Sequence, residues 1–115
     1  MNRLSIIVPV YNGEKTIKRA IDSLLKQTEE VDIIVVNDGS TDNTEDLVKS
    51  YSKSNIHYFY KENGGISDAR NFGISKVETE FFGFLDSDDY VKEDMAEKML
   101  SAIGDKDICM SNFTW

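Results

Sequence analysis

"LSIIVPVYNGEKTIKRAIDSLLKQTEEVDIIVV", residues 4–36, decides the fold. It opens with an apolar, β-branched run at 4–10 and turns through Tyr11, Asn12 and Gly13. It continues over 14–27 with Ile17, Ala20, Ile21, Leu24 and Leu25 at the spacing of one helix face. A second apolar run follows at 31–36. Near-continuous apolar runs suit strands buried on both faces, and a strand-helix-strand order calls for a right-handed crossover and parallel pairing.

Outward from this unit the alternation repeats. In "NDGSTDNTEDLVKSY" the residues Thr44, Leu47, Val48 and Tyr51 share one face of a second helix, and Asp42 with Glu45 three positions later reads as a capping arrangement. "NIHYFY" at 55–60 alternates more and predicts a third strand nearer an edge. Asn63-Gly64-Gly65 breaks the chain, and Ile66, Ala69, Gly73, Ile74 and Val77 predict a third helix. A fourth strand is expected at 80–85, a fourth helix at 92–103 with Met95, Met99, Leu100 and Ile103, and a fifth strand from 107–111. The expected fold class is α/β, a Rossmann-like, mostly parallel sheet with helices on both faces. No repeat, linker or low-complexity tract interrupts it, so 1–115 reads as one domain.

Composition excludes several function classes. Thirteen Lys and Arg against 21 Asp and Glu give a net charge of -8, which argues against nucleic acid as a partner. The apolar runs fall far short of the ~20 residues of a membrane span, so no transmembrane segment is expected. The first residues lack the h-region and cleavage site of a signal peptide, and the cytoplasm is the expected location. Cys109 is the only cysteine, which precludes an intrachain disulfide, and it reads as a buried thiol. His57 has no acid or cysteine at ligand spacing and reads as an ordinary strand residue.

In an open parallel sheet, ligands sit beyond the C-terminal ends of the strands. The polar segments after strands one, two and four are "YNGE", "NDGSTD" and "DSDD", so Asp38 should meet Asp86, Asp88 and Asp89 at one cleft. Three carboxylates this close repel one another unless a cation answers them, and Mg²⁺ or Mn²⁺ suits such hard oxygen ligands. The same acids would also serve as helix caps. Asp38-Gly39-Ser40 equally fits an Asx turn. Asn12 fits a helix cap, Tyr11 a core rim or a base-stacking ring, and Arg70 a solvated side chain or a fork for diphosphate.

With "VPVYN" (8–12), "VNDGSTDNT" (36–44), "NGGISDARNFGI" (63–74) and "FLDSDD" (84–89) in order, the sequence resembles the N-terminal, nucleotide-sugar-binding portion of family-2 glycosyltransferases, which have the A-type glycosyltransferase fold. The resemblance covers about residues 3–113. It implies that Asp86 approaches the ribose or sugar with Ser87 beside it, and that Asp88 holds the metal. It further implies that Asp38 contacts the base, that Pro9, Tyr11 and Glu14 line its pocket, and that Asn63 and Arg70 flank the nucleotide and diphosphate. Asp89 matches a commonly acidic position. The implied activity is sugar transfer from a nucleoside diphosphate, expected to be uridine-linked, to a hydroxyl of a glycan, lipid-linked or cell-wall acceptor, with inversion at the anomeric centre. In most of the family the catalytic base is an acid well beyond the acidic motif. Only 26 residues follow Asp89, so base and acceptor surface are expected in further chain, along with any peripheral contact to the inner membrane face.

Two other classes fit parts of the pattern. A haloacid-dehalogenase-like phosphatase would use Asp86 as nucleophile and Asp88 as acid/base, but its motif normally opens the fold, and no Thr follows Asp88 by two. A receiver-like signalling domain fits the length and alternation, but would need an acidic pair after the first strand, where "YNG" stands. A calcium loop starting at Asp38 or Asp86 lacks the Gly at position six and the Glu at position twelve.

Overall fold

The structure, a computed structural model, describes residues 2–103. The run at 4–10 forms β1 (Leu4–Val10), buried along its whole length. It pairs in parallel with β2 (Asp32–Asp38) on one side and β4 (Phe81–Phe84) on the other. β3 (Ile56–Lys61) pairs only with β2, giving the order β3-β2-β1-β4 and the expected edge position, with His57 exposed on it. The crossovers are α1 (Ile17–Leu25), α2 (Thr44–Lys49) and α3 (Ile66–Ile74), and α4 (Met95–Ile103) follows β4. The fifth strand expected at 107–111, and Cys109 within it, lie outside the described residues.

Successive strand residues point to opposite faces, and β1 uses both. Leu4, Ile6, Val8 and Val10 join Ile33 and Val35 under Ile17, Ala20, Ile21 and Leu24 of α1 and Met95, Ala96, Met99 and Leu100 of α4. On the other face Ile7, Ile34 and Val36 meet Ala69 of α3, with Phe59, Phe72, Phe82 and Phe84 partly buried around them. Among the described residues no helix is long and apolar enough to cross a membrane.

Element types match the sequence reading, while several boundaries move for tertiary reasons. α1 was expected from 14 but begins at Ile17, because residues 13–16 form a turn in which the Gly13 carbonyl accepts from the N–H groups of Thr16 (3.0 Å) and Ile17 (2.8 Å). α4 was expected from 92 but begins at Met95, since the Lys92 and Glu93 carbonyls accept from the Gln27 side chain (2.7 Å) and the Thr28 N–H (2.8 Å). Half of the capping arrangement forms: Asp42 Oδ1 accepts the Thr44 N–H at 3.0 Å, whereas Glu45 takes the Tyr58 hydroxyl at 2.9 Å.

α3 can lie close to β1 because Gly73 faces Ile7, and a Cβ at Gly73 would collide with the Ile7 side chain. Gly73→Ala should therefore destabilise by about 1–3 kcal/mol through overpacking, although alanine is the better helix former. Urea denaturation checks this, and an unchanged or raised midpoint would show that α3 is not held so tightly.

Candidate functional site

Because β1, β2 and β4 run in parallel, their C-terminal ends open onto one edge of the sheet, and a cleft of about 470 Å³ lies there. Pro9, Val10, Tyr11, Asn12, Gly13 and Thr16 form one wall. Asp38 closes the end of β2, Ile66 and Ala69 come from α3, and Asp86, Ser87 and Asp88 follow β4. Tyr11 and Ile66 are 53% and 54% exposed, leaving apolar surface in the cleft for a flat ligand.

The first two loops are laced together by polar bonds. Asn12 holds a φ of 50°, a left-handed conformation that asparagine tolerates better than most side chains. Its N–H donates to Ser40 Oγ at 2.8 Å, and its Oδ1 accepts the Thr41 N–H at 2.8 Å. The Gly13 N–H donates to Thr44 Oγ1 at 3.0 Å, and the Glu14 N–H to Asp42 Oδ2 at 3.1 Å. The Glu14 carboxylate accepts the Asn43 N–H at 3.4 Å, so this residue, expected in the pocket, braces the loops and is not among those lining the cleft.

Asp38 is only 4% exposed, and its carboxylate is closely provided with donors. Oδ1 accepts from Lys61 Nζ and the Gly64 N–H, each at 3.0 Å. Oδ2 accepts from the Gly65 N–H at 3.0 Å and Asn63 Nδ2 at 3.4 Å. Burial alone would push this carboxyl up, but the Gly64, Lys61 and Gly65 donors outweigh it and hold the group below its ordinary 3.8. Lys61 in turn is raised by Asp68 and Asp38. Gly39 stays glycine for two reasons: its φ is 75°, and a Cβ there would stand 2.7 Å from the Asn63 backbone nitrogen. Asn63, expected beside the nucleotide, thus holds the Asp38 main chain (3.0 Å to its carbonyl) rather than lining the cleft.

At the end of β4, oxygens of Asp86, Asp88 and Asp89 all lie within 4.8 Å of one another. Arg70 Nη2 pairs with Asp86 Oδ1 at 3.3 Å, its guanidinium lies 5.5 Å from the Phe84 ring centroid, and its buried Nε has no protein partner among the described residues. Asp89 is pushed up by burial and then by the Asp88 and Asp86 carboxylates, with Arg19 opposing. Crowded hard oxygens with a charge surplus fit Mg²⁺ or Mn²⁺. Asp86 and Asp88 would be first to hold it, with Asp89 beside them.

Pro9, Tyr11, Asp38, Asp86, Ser87 and Asp88 therefore share the cleft as the sequence led one to expect, and Arg70 joins through Asp86. Gly13, Thr16, Ile66 and Ala69 line it without having been singled out as site residues, and Lys61 supports it from β3. The signal for Asn12 was its place between a strand end and a glycine. Lys61 had none, since Asp38, the site residue it meets, is 23 residues away.

A family model described as "Glycosyl transferase family 2" matches residues 5–114. An uncharacterized glycosyltransferase of Rickettsia typhi is 46% identical over 109 residues, which cover 91% of this chain and 34% of that protein. The minor teichoic acid biosynthesis protein GgaB of Bacillus subtilis is 42% identical over 103 residues, 84% of this chain and 11% of its own. This chain thus spans about a third of the one and about a ninth of the other. Among solved structures, S. aureus TarS 1-349 in complex with UDP-GlcNAc superposes with a TM-score of 0.81 at 37% identity, covering 88% of this chain and 31% of that one. The mannosyltransferase PcManGT of Pyrobaculum calidifontis, in complex with GDP-Man and Mn²⁺, shares the fold with a TM-score of 0.78 at 22% identity, covering 90% and 32%.

Removing the Asp38 carboxylate leaves the Gly64 and Gly65 N–H groups without their acceptor. Asp38→Ala should cost about 1–3 kcal/mol at neutral pH. Since the folded carboxyl titrates below 3.8, its contribution is complete above that pH and fades as pH falls through the lowered value. The gap between wild type and variant in chemical denaturation should therefore narrow on acidification. A gap that held constant down to pH 2 would rule out the charge.

Proposed function

The chain belongs to glycosyl transferase family 2 and has the A-type glycosyltransferase fold, and from that premise we propose that it binds a uridine-diphospho-sugar with Mg²⁺ or Mn²⁺ for inverting transfer to an acceptor hydroxyl. The observation that carries this reading is the meeting of Tyr11, Asp38 and the Asp86–Asp88 turn in one cleft. The uridine assignment draws on the 37% identity to TarS, whose structure holds UDP-GlcNAc.

In this reading Tyr11 and Pro9 sandwich the base. Asp38 meets it through Oδ2, whose Asn63 donor is the longest of the four at 3.4 Å. Oδ1 keeps the Gly64 N–H and Oδ2 retains the Gly65 N–H, and so the start of α3 stays in place. Arg70, whose Nη2 meets Asp86, presents its guanidinium to the diphosphate, a role suited to a planar fork. Asp86 and Ser87 orient the ribose or sugar. When bound at Asp88, the cation supplies charge stabilisation for the departing diphosphate.

A base must still take the acceptor proton. The acids lining the cleft among the described residues are Asp38, Asp86 and Asp88, and each already has a task. We assign the base, and the surface for a glycan, lipid-linked or cell-wall acceptor, to residues outside 2–103. The name of GgaB, a teichoic acid biosynthesis protein, points to that acceptor class. The reaction is placed on the cytoplasmic side, in keeping with a single cysteine.

Calorimetry should show UDP binding that strengthens with Mn²⁺ over chelator, with a matching rise in Tm. Asp88→Asn should weaken the Mn²⁺-dependent part by roughly tenfold or more. Asp94→Asn removes one charge outside the cleft, from a group paired with Lys98 at 3.1 Å, and should not. Absence of UDP binding with either metal would sink the donor-site reading.

Residues 2–103 alone, supplied with UDP-sugars and varied acceptors, should give no glycosylated product, while slow donor hydrolysis is allowed. Robust transfer detected by mass spectrometry would place the base within them.

A further inference from the structure

α1 and the turn after it carry a second line of residues besides the buried one. Arg19, Ser23 and Gln27 recur every fourth position, the spacing of neighbours along a helix surface. This line lies along the backbone that leaves the acidic turn. Arg19 Nη2 donates to the Asp88 carbonyl at 3.1 Å, Ser23 Oγ accepts the Val91 N–H at 3.2 Å, and Gln27 Oε1 accepts the Ala96 N–H at 2.9 Å while its Nε2 donates to the Lys92 carbonyl. The Arg19 guanidinium also sits 4.7 Å from the centroid of the Tyr90 ring. Arg19 is not among the residues lining the cleft.

We propose that Arg19 is a positioning residue for the cation site, holding the Asp88 peptide from outside so that the Asp88 carboxylate stays in the cleft. The proposal rests on the divalent-cation reading given above. Three crowded carboxylates relax by moving apart, and the backbone bond that closes the turn, from the Asp89 N–H to the Asp86 carbonyl at 2.9 Å, does not engage the Asp88 carbonyl. Arg19 supplies resistance at the Asp88 main chain, where a donated hydrogen bond leaves the side-chain oxygens free. The stack on Tyr90 fixes the guanidinium itself, so that the donor is already in place before any cation arrives. Ser23 and Gln27 then pin the next residues to the same helix, which makes the rigid body of α1 the reference for the loop.

A lysine at position 19 would keep the charge but could not both stack flat on Tyr90 and reach the carbonyl in the same geometry. Charge and anchoring are therefore separable. The test titrates Mn²⁺ into the chain with saturating UDP, reading free Mn²⁺ by electron paramagnetic resonance, for wild type, Arg19→Met, Arg19→Lys, Arg19→Gln and Lys18→Met. Met, Lys and Gln at position 19 should each weaken Mn²⁺ binding by roughly tenfold, with the metal-free unfolding midpoint unchanged in at least one of them. Lys18→Met, which removes a neighbouring cation, should match wild type. Wild-type affinity in Arg19→Met, or full recovery in Arg19→Lys, overturns the positioning role. Failure of the wild type itself to bind Mn²⁺ overturns the cation reading and this proposal with it, and so is distinguishable from the first result.

Discussion

β1 is hydrogen-bonded in parallel to β2 on one side and β4 on the other, and it is buried throughout. A strand so placed stays dry only if both sheet faces are covered, which is why alternate residues of β1 divide between two apolar clusters. Parallel pairing also forces every return through a helix, so each strand of the sheet exits on the same edge. The chemistry is therefore concentrated by the backbone before any side chain acts. Asp38 and Asp86 become neighbours of one cleft because their strands flank β1.

That concentration has an electrostatic cost in a chain of net charge -8, and the structure meets it locally in two ways. The Asp38 charge is spent inward, on the N–H groups of Gly64 and Gly65 and on Lys61, and it organises the loop that leads into α3. The acids after β4 are less provided for, with Arg70 reaching Asp86 only. Equal residue types thus do different work. One carboxylate is a structural acceptor, while the other group keeps charge available for a ligand.

The alternation of strands and helices, the edge position of β3 and the polar edge were legible because they depend on apolar periodicity and on which segments follow strands. Helix starts were not, because the Gly13 carbonyl in one case and Gln27 with Thr28 in the other decide them through contacts the periodicity does not encode. The same limit applies to the site. "DSDD" and "NDGS" announced themselves, and the family resemblance chose between the readings the residues left open for Tyr11 and Arg70. A resemblance transfers residue identity more securely than side-chain contacts, however, and the bonds by which Glu14 and Asn63 brace the loops come from the structure alone. The contacts by which Lys61 and Arg19 serve the site carry no local signature, since Asp38 and Asp88 lie 23 and 69 residues away from them.

The acidic turn is flanked by one arginine from each side of the sheet, Arg70 from α3 and Arg19 from α1, and the two do unlike things. Arg70 meets a carboxylate and answers the charge of Asp86. Arg19 meets a carbonyl and leaves the Asp88 oxygens uncommitted. Among the described residues the negative charge still without a direct partner is then that of Asp88 and Asp89, close to two units when both are ionised. A monovalent ion would leave half of it standing on oxygens that lie within 4.8 Å of one another. The divalent cation proposed above would balance this charge and leave coordination positions for water and phosphate oxygens, so the arrangement of the two arginines agrees with a ligand that brings phosphate with it.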